Sequence, residues 1–224
     1  MFESLKGFNL NLEKIISQFD SFDRAVSTNI WHAVSRQVQE KKLDSNGISD
    51  EQTRSQILDQ LTVRPALVAY IASEIYKLRG SCRFLEVGTA EGLQSITVAA
   101  NIPKSEVFTC DVRDVRHETF HNFPNANFTL GNAKSLASNI SGKIDVCWID
   151  GAHDHYSVVD DFLSILSLTD ENTVWIFDDY DRRFGCWHDI SLLLSHFEQT
   201  YAVNFGKTAS GNPSVAAMGM GFKQ

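Results

Sequence analysis

Apolar positions along this chain change their spacing near residue 80. Before that point they recur at helical intervals. Ile30, Trp31, Val34 and Val38 fall on one face of a helix over Ile30–Gln39. Asp44-Ser45-Asn46-Gly47 reads as a turn, and Ser49 as the cap of a helix rich in Gln and Glu. Pro65 suits the first turn of a further helix, whose stripe is Leu67, Ile71, Ile75 and Leu78 and which Gly80 ends. Residues 1–63 are therefore expected to form a helical N-terminal extension, either a cover on the sheet or a cap over a pocket. Residues 64–224 are expected to form the main domain.

From Arg83 the runs RFLEV, EVFTC, NFTL, IDVCWI and TVWIF are near-continuously apolar, and polar or helical sequence separates them. Such runs predict parallel strands buried on both faces, and the right-handed crossover leaves few ways to connect them. A helix around Asp189 to Phe197 leads into TYAVNFG and SVAAMGMGF. The turn-rich KTASGNP between these two runs predicts a closing antiparallel pair. The fold class is α/β, a mostly parallel sheet with helices on both faces. No internal repeat or low-complexity segment interrupts it.

Composition narrows the function classes. The 224 residues are 43% hydrophobic and 21% charged, with a formal net charge of −8. That balance suits a soluble enzyme and lacks the basic footprint needed to grip nucleic acid. Cys82, Cys110, Cys147 and Cys186 lie far apart with no Cys-x-x-Cys pair and read as buried thiols in a reducing compartment. No apolar run approaches the ~20 residues of a membrane span. MFESLKGFNLNLEK lacks the order of a secretory signal, so a cytoplasmic protein with no membrane partner is expected.

The most informative stretch is FLEVGTAEGLQ, Phe84 to Gln94: a strand, an acid, a glycine turn and a helix start. Glu86, Gly88, Thr89 and Gly92 would form a cofactor-binding bend at the carboxyl edge of the sheet. The dinucleotide fingerprint has a middle glycine where this chain has Ala90, and Glu86 would repel a pyrophosphate. A ligand without phosphates and with a positive end, such as S-adenosylmethionine, fits better. Asp111, 19 residues after Gly92, is placed to accept from ribose hydroxyls. Gly131-Asn132-Ala133 would lie under the adenine. Asp150, Asp178 and Asp179 end adjacent strands, and three close carboxylates call for a cation such as magnesium. Asp150 would thus serve cofactor, metal and catalysis together. His153 and His155 are the nearest neutral bases, while Tyr180, Phe184, Trp187 and His188 could wall an acceptor.

Together, FLEVGTAEGLQS, Asp111, the Gly-Asn-Ala turn, WIDGAHDHY and FDDY resemble class I S-adenosylmethionine-dependent methyltransferases over about residues 64–222. More narrowly they resemble the metal-dependent small-molecule O-methyltransferases of the antibiotic and macrolide sugar type, and more distantly the catechol type. The resemblance implies a Rossmann-like seven-stranded sheet with an antiparallel last strand. It implies that Glu86 and Gly88 flank the methionine end of the cofactor, Asp111 the ribose, and Asn132 and Ala133 the adenine. It also places a divalent ion, Mg2+, at Asp150, Asp178 and Asp179.

The chain departs from that pattern in two places. Some sugar-methylating relatives carry an Asp base where this chain has Ala152, and catechol-type relatives a lysine where it has His153. The stretch from His153 to Tyr156 is also one residue longer than the usual His-x-Tyr arrangement. His153, then His155, is the expected base. The acceptor is expected to be a small-molecule hydroxyl, and assembly into a homo-oligomer stays open. Two other readings stand beside this one: an NAD-dependent oxidoreductase, and an S-adenosylmethionine-binding module without transferase activity.

Overall fold

A computed structural model describes residues 11–21, 33–207 and 213–223 of the chain. Seven strands form one sheet: β1 (Arg83–Val87), β2 (Glu106–Asp111), β3 (Ala126–Leu130), β4 (Val146–Ile149), β5 (Val174–Phe177), β6 (Phe197–Lys207) and β7 (Pro213–Phe222). Their spatial order is β3-β2-β1-β4-β5-β7-β6. The pairings among β1 to β5 are parallel, and β7 runs antiparallel to both β5 and β6. This is a Rossmann-like sheet with a reversed last strand. The loop between β6 and β7, within KTASGNP, lies outside the described residues.

The side-chain alternation of the central strands builds two cores. Phe84, Val146, Trp148, Val174 and Ile176 face one layer, with Leu67, Ile71, Ile75 and Val98. Leu85, Val87, Cys147, Ile149, Trp175 and Phe177 face the other, with Phe162, Ile190 and Phe197. The helices divide accordingly. On the first face lie α1 (Leu12–Ser21), α3 (Glu51–Arg79) and α4 (Leu93–Asn101), with α2 (Ala33–Ser45) packed outside α3 and α4. On the second lie α5 (Ala133–Ala137), α6 (Ser157–Ile165) and α7 (Cys186–Leu194). All four cysteines are free and buried.

The N-terminal helices depart from the spacing-based reading. The two segments expected on either side of residue 63 form one helix, α3. Asp50 caps it by accepting from the Thr53 N–H at 2.7 Å, and Gly80, left-handed at φ 74°, closes it. Pro65 is interior to that helix, so the bond to the carbonyl of residue 61 is missing. The helix continues because Ala66 to Ala72 are at most 4% exposed, packed into the first core. Tertiary burial outweighs the local break. Leu12, Ile16 and Phe19 of α1 enter the same core, which makes this helix a cover on the sheet. The expected helix start at Ile30 to His32 lies outside the described residues; α2 itself begins at Ala33.

No helix among the described residues is long and apolar enough to cross a membrane. What the fold fixes for function is strand register. Val87 pairs with Cys110 and Ile149, and Ile149 with Phe177. Gly88, Asp111, Asp150 and Asp178 therefore leave the sheet along one edge. The strand order reverses between β1 and β4, which is where α/β sheets open a crevice.

Candidate active site

At the reversal point the chain after β1 turns sharply. Gly88 (φ 91°), Ala90 (φ 42°) and Gly92 (φ 87°) all adopt left-handed backbone. Gly88 is required by contact as well as by φ, because a Cβ there would stand 2.5 Å from the Asp150 carbonyl carbon. The turn is satisfied internally: the Gly88 and Thr89 N–H groups donate to the Cys110 carbonyl at 2.9 and 3.1 Å. Thr89 is buried against Thr109. At Gly92 a Cβ would meet the Phe120 ring at 2.7 Å, so this glycine admits an aromatic ring beneath α4. Gly88 borders the cleft above the turn, whereas Thr89 and Gly92 support it from below.

Glu86 also lies below the turn. It is fully buried, and its Oε2 accepts from the hydroxyls of Ser95 and Thr109, while Oε1 has no partner. Burial pushes this carboxyl up to about 8 in spite of those two hydrogen bonds. The expectation of a carboxylate facing a ligand's ammonium is corrected here. Glu86 is a sealed polar support under the bend.

A cleft of about 660 Å³ opens above, within the ordinary size of a small-molecule site. Gly88, Ala90, Asp111, Gly131, Asn132 and Asp150 line it, and His153 and Asp161 complete its far wall. The Asp111 carboxylate is fixed by two backbone donors, Ala90 N–H at 2.9 Å and Arg113 N–H at 3.0 Å. Asn132 caps α5 by accepting from the Ser135 N–H at 3.0 Å, which leaves its amide N–H2 end for the cleft. Ala133 is buried under it. The Asp161 carboxyl is pushed up to about 6 by burial, and no motif marked it. Its only sequence signal is the Asp160-Asp161 pair in the first turns of α6.

The expected trio of aspartates divides. Asp179 sits at φ 51°, unusual for a residue with a Cβ, so two neighbours that would point to opposite faces turn to one side. Asp178 goes inward: it is 4% exposed and meets Arg64, with Nη1 to Oδ2 at 3.1 Å. Burial, with the Asp150 charge beside it, raises this carboxyl well above its ordinary value, and the Arg64 charge opposes the rise. Asp179 turns toward His153, whose Nδ1 is 2.8 Å from Asp179 Oδ2 and whose Nε2 is 3.7 Å from Asp150 Oδ1. Hydrogen bonding toward Asp150 and Asp179 raises the His153 pKa to about 10, which makes it an imidazolium at neutral pH. Phe184 packs edge-on against it at 5.3 Å.

His155 lies apart. It is exposed, 3.8 Å from Asp189, whose carboxylate accepts from the Tyr156 N–H at 2.8 Å. Tyr180 stacks on Trp187, while His188 is exposed on α7. The structure thus brings together Asp150, His153 and Asp179, and adds Arg64, which no motif marked.

The group of side chains that could hold a metal ion differs from the trio expected from the sequence. The side chains whose ligand atoms lie within 4.8 Å of one another are Asp150, His153 and Asp179, without Asp178. One nitrogen and two carboxylate oxygens is a mixed donor set, whereas magnesium takes oxygen ligands.

Comparisons with known proteins agree with the cleft. Residues 85–180, a little under half of the chain, match a family model described as a methyltransferase domain. Among solved structures, the O-methyltransferase TomG from Streptomyces achromogenes, determined with S-adenosylmethionine, is 14% identical with a TM-score of 0.56. The match covers 88% of this chain and 99% of that one. An O-methyltransferase from Bacillus cereus, determined with S-adenosylhomocysteine, is 15% identical with a TM-score of 0.54 and coverages of 86% and 99%. An rRNA methylase from Streptococcus thermophilus is 10% identical with a TM-score of 0.55 and coverages of 73% and 97%. At these identities the likeness shows the fold and does not select an acceptor. A comparison with curated protein sequences finds no significant match.

Proposed function

We propose that this chain, whose residues 85–180 match a methyltransferase domain, moves the methyl group of S-adenosylmethionine onto a hydroxyl oxygen of a small molecule. One observation carries the reading. A single cleft of about 660 Å³ joins a preorganised sugar-binding acid, Asp111, to the acidic wall of Asp150 and His153. The acidic net charge supports a small acceptor over nucleic acid.

Bound S-adenosylmethionine supplies a methyl carbon activated by a sulfonium. The chain's part is to hold, orient and accept a proton. Asp111, already fixed by two backbone N–H donors, offers its remaining lone pairs to the ribose hydroxyls. Asn132 offers its amide to the adenine edge, and Gly88 lets the turn that would carry the methionine end pack against Asp150 at the end of β4. With donor and acceptor aligned, positioning supplies most of the rate. The hydroxyl oxygen bonds to the methyl carbon as the bond to sulfur breaks, with its electron pair left on sulfur. The oxygen grows acidic as it reacts, so a carboxylate suffices as base, and Asp150, beside His153 at the cleft wall, takes that role. His153, protonated, holds Asp150 and Asp179 in place and is not itself the proton acceptor.

Calorimetry with S-adenosylmethionine and S-adenosylhomocysteine tests the cofactor half of this reading, with one site per chain expected. Transfer of labelled methyl to a panel of phenols and sugar hydroxyls tests the rest. Folded protein that takes up neither cofactor form, or that binds NAD in preference, would defeat it.

A further inference from the structure

The carboxylates at the end of β5 face groups of the chain itself, although Asp178 Oδ2, buried beside Arg64, is not aligned for a hydrogen bond. Asp178 Oδ1 accepts from the Asp179 N–H at 2.8 Å, and its Oδ2 faces Arg64 Nη1 at 3.1 Å. Asp179 Oδ1 faces Arg64 Nη2 at 3.4 Å, and its Oδ2 is 2.8 Å from His153 Nδ1. Of the three acids, Asp150 alone faces the cleft with an oxygen outside these pairings.

We propose that this acidic cluster is closed by the chain's own side chains in place of a divalent ion, with Arg64 as the positioning residue that holds Asp178 and Asp179. The inference deepens the reading of the cleft as a methyl-transfer site and rests on it for its functional meaning.

Three features of Arg64 support this. Its guanidinium keeps its charge at every accessible pH, and its fork spans two acceptors at once. It reaches across the molecule from α3 and is held from behind: Nη2 also donates to Ser214 Oγ on β7 at 2.8 Å, and the Phe205 ring of β6 lies 5.8 Å from its central carbon. Three elements therefore fix one cation against the tip of a fourth. The strained φ of Asp179 then has a reason. It turns two sequence neighbours toward one guanidinium, whereas an extended backbone would send them to opposite faces. An ion held by Asp178 and Asp179 would have to displace the charged side chain of Arg64.

The arrangement assigns work to each group. Arg64 neutralises the buried Asp178 and fixes Asp179, Asp179 orients His153, and His153 leaves Asp150 facing the acceptor. Two cationic side chains thus face three carboxylates, and the remaining negative charge is carried by Asp150 at the cleft.

Titration of chelator-treated protein with magnesium and with manganese, in the presence of S-adenosylhomocysteine, tests the proposal. The wild type is expected to bind neither ion more tightly than the millimolar range, and its S-adenosylhomocysteine affinity should be indifferent to metal. Arg64→Met frees two carboxylates and is expected to bind manganese about tenfold more tightly or better. Arg64→Lys, which keeps the charge without the fork, should fall between. If Arg64→Met fails to fold because Asp178 is left buried and unpaired, Arg64→Met with Asp178→Asn removes that charge and keeps Asp179 for the metal readout. Micromolar binding of either ion to the wild type, abolished by Asp179→Asn, overturns the proposal. So does a folded Arg64 variant with no gain in manganese affinity. Loss of S-adenosylhomocysteine binding with these metal results intact would count against the methyltransferase reading alone.

Discussion

The carbonyl of Asp150 lies directly against the α-carbon of Gly88, so a methyl group on that glycine would stand 2.5 Å from the carbonyl carbon and nearer still to the oxygen. The glycine bend and the acidic wall of the cleft are thus one packed contact between the ends of β1 and β4. Gly80 makes a natural control, since it too is left-handed but has no atom near a built Cβ. Gly80→Ala is expected to lose about 1–2 kcal/mol from backbone strain alone and to bind S-adenosylhomocysteine normally. Gly88→Ala adds a clash with rigid backbone and should abolish binding with a larger fall in melting temperature. Thermal unfolding and calorimetry on both variants decide it; equal effects would show that the close approach is unimportant.

Asp111 supports two features at once. It orders the turn through Ala90 and Arg113, and it faces the cleft. Hydrogen bonds to a charged acceptor contribute about 1.5–3 kcal/mol each. Asp111→Asn, which keeps one acceptor oxygen, should weaken S-adenosylhomocysteine by about tenfold, and Asp111→Ala by about a hundredfold. An affinity within a factor of two of wild type for Asp111→Ala would remove the ribose role.

Much of this architecture can be read in the residues. VCWI and VWIF are apolar at every position, which only a strand covered on both faces tolerates, and they became β4 and β5. FLEVG announced the bend because two glycines follow a buried strand. The join at Pro65 could not be read, because local propensity argues for a break and only the burial of Ala66 to Ala72 overrules it. Arg64 was invisible for another reason. Its partners, Asp178 and Asp179, lie more than a hundred residues away, and no local spacing encodes that pairing. The convergence of those two aspartates on one guanidinium goes with a positive φ at Asp179, for which the sequence has no marker. Glu86 was recognisable as part of the motif, but its depth follows from Ser95 and Thr109 closing over it.

The burial of Glu86 has a consequence for stability. Its carboxyl is raised from an ordinary value near 4.5 to about 8, so between those values the folded protein holds a proton that the unfolded chain releases. Stability from this group therefore falls as pH rises from about 4.5 to about 8. Each pH unit between the folded and unfolded values corresponds to roughly 1.4 kcal/mol, so the loss amounts to a few kcal/mol at most. Glu86→Gln mimics the protonated acid. Its melting temperature should match wild type near pH 5 and exceed it near pH 9, measured in the same buffers. A constant difference at both pH values would place the charge elsewhere.

His153 provides the last expectation, and it carries the opposite kind of group. Its folded pKa, about 10, lies above the ordinary histidine value of 6.5, because Asp150 and Asp179 favour the imidazolium. The stabilisation is fully present below about pH 6.5 and is lost as pH rises toward 10. Nitrogen NMR of the imidazole should show His153 doubly protonated at pH 8. Asp179→Asn removes the 2.8 Å acceptor and should lower the His153 pKa by about one unit or more. If His153 instead titrates near 6.5 in the wild type, it is free to act as the base, and the proton would pass to it rather than to Asp150.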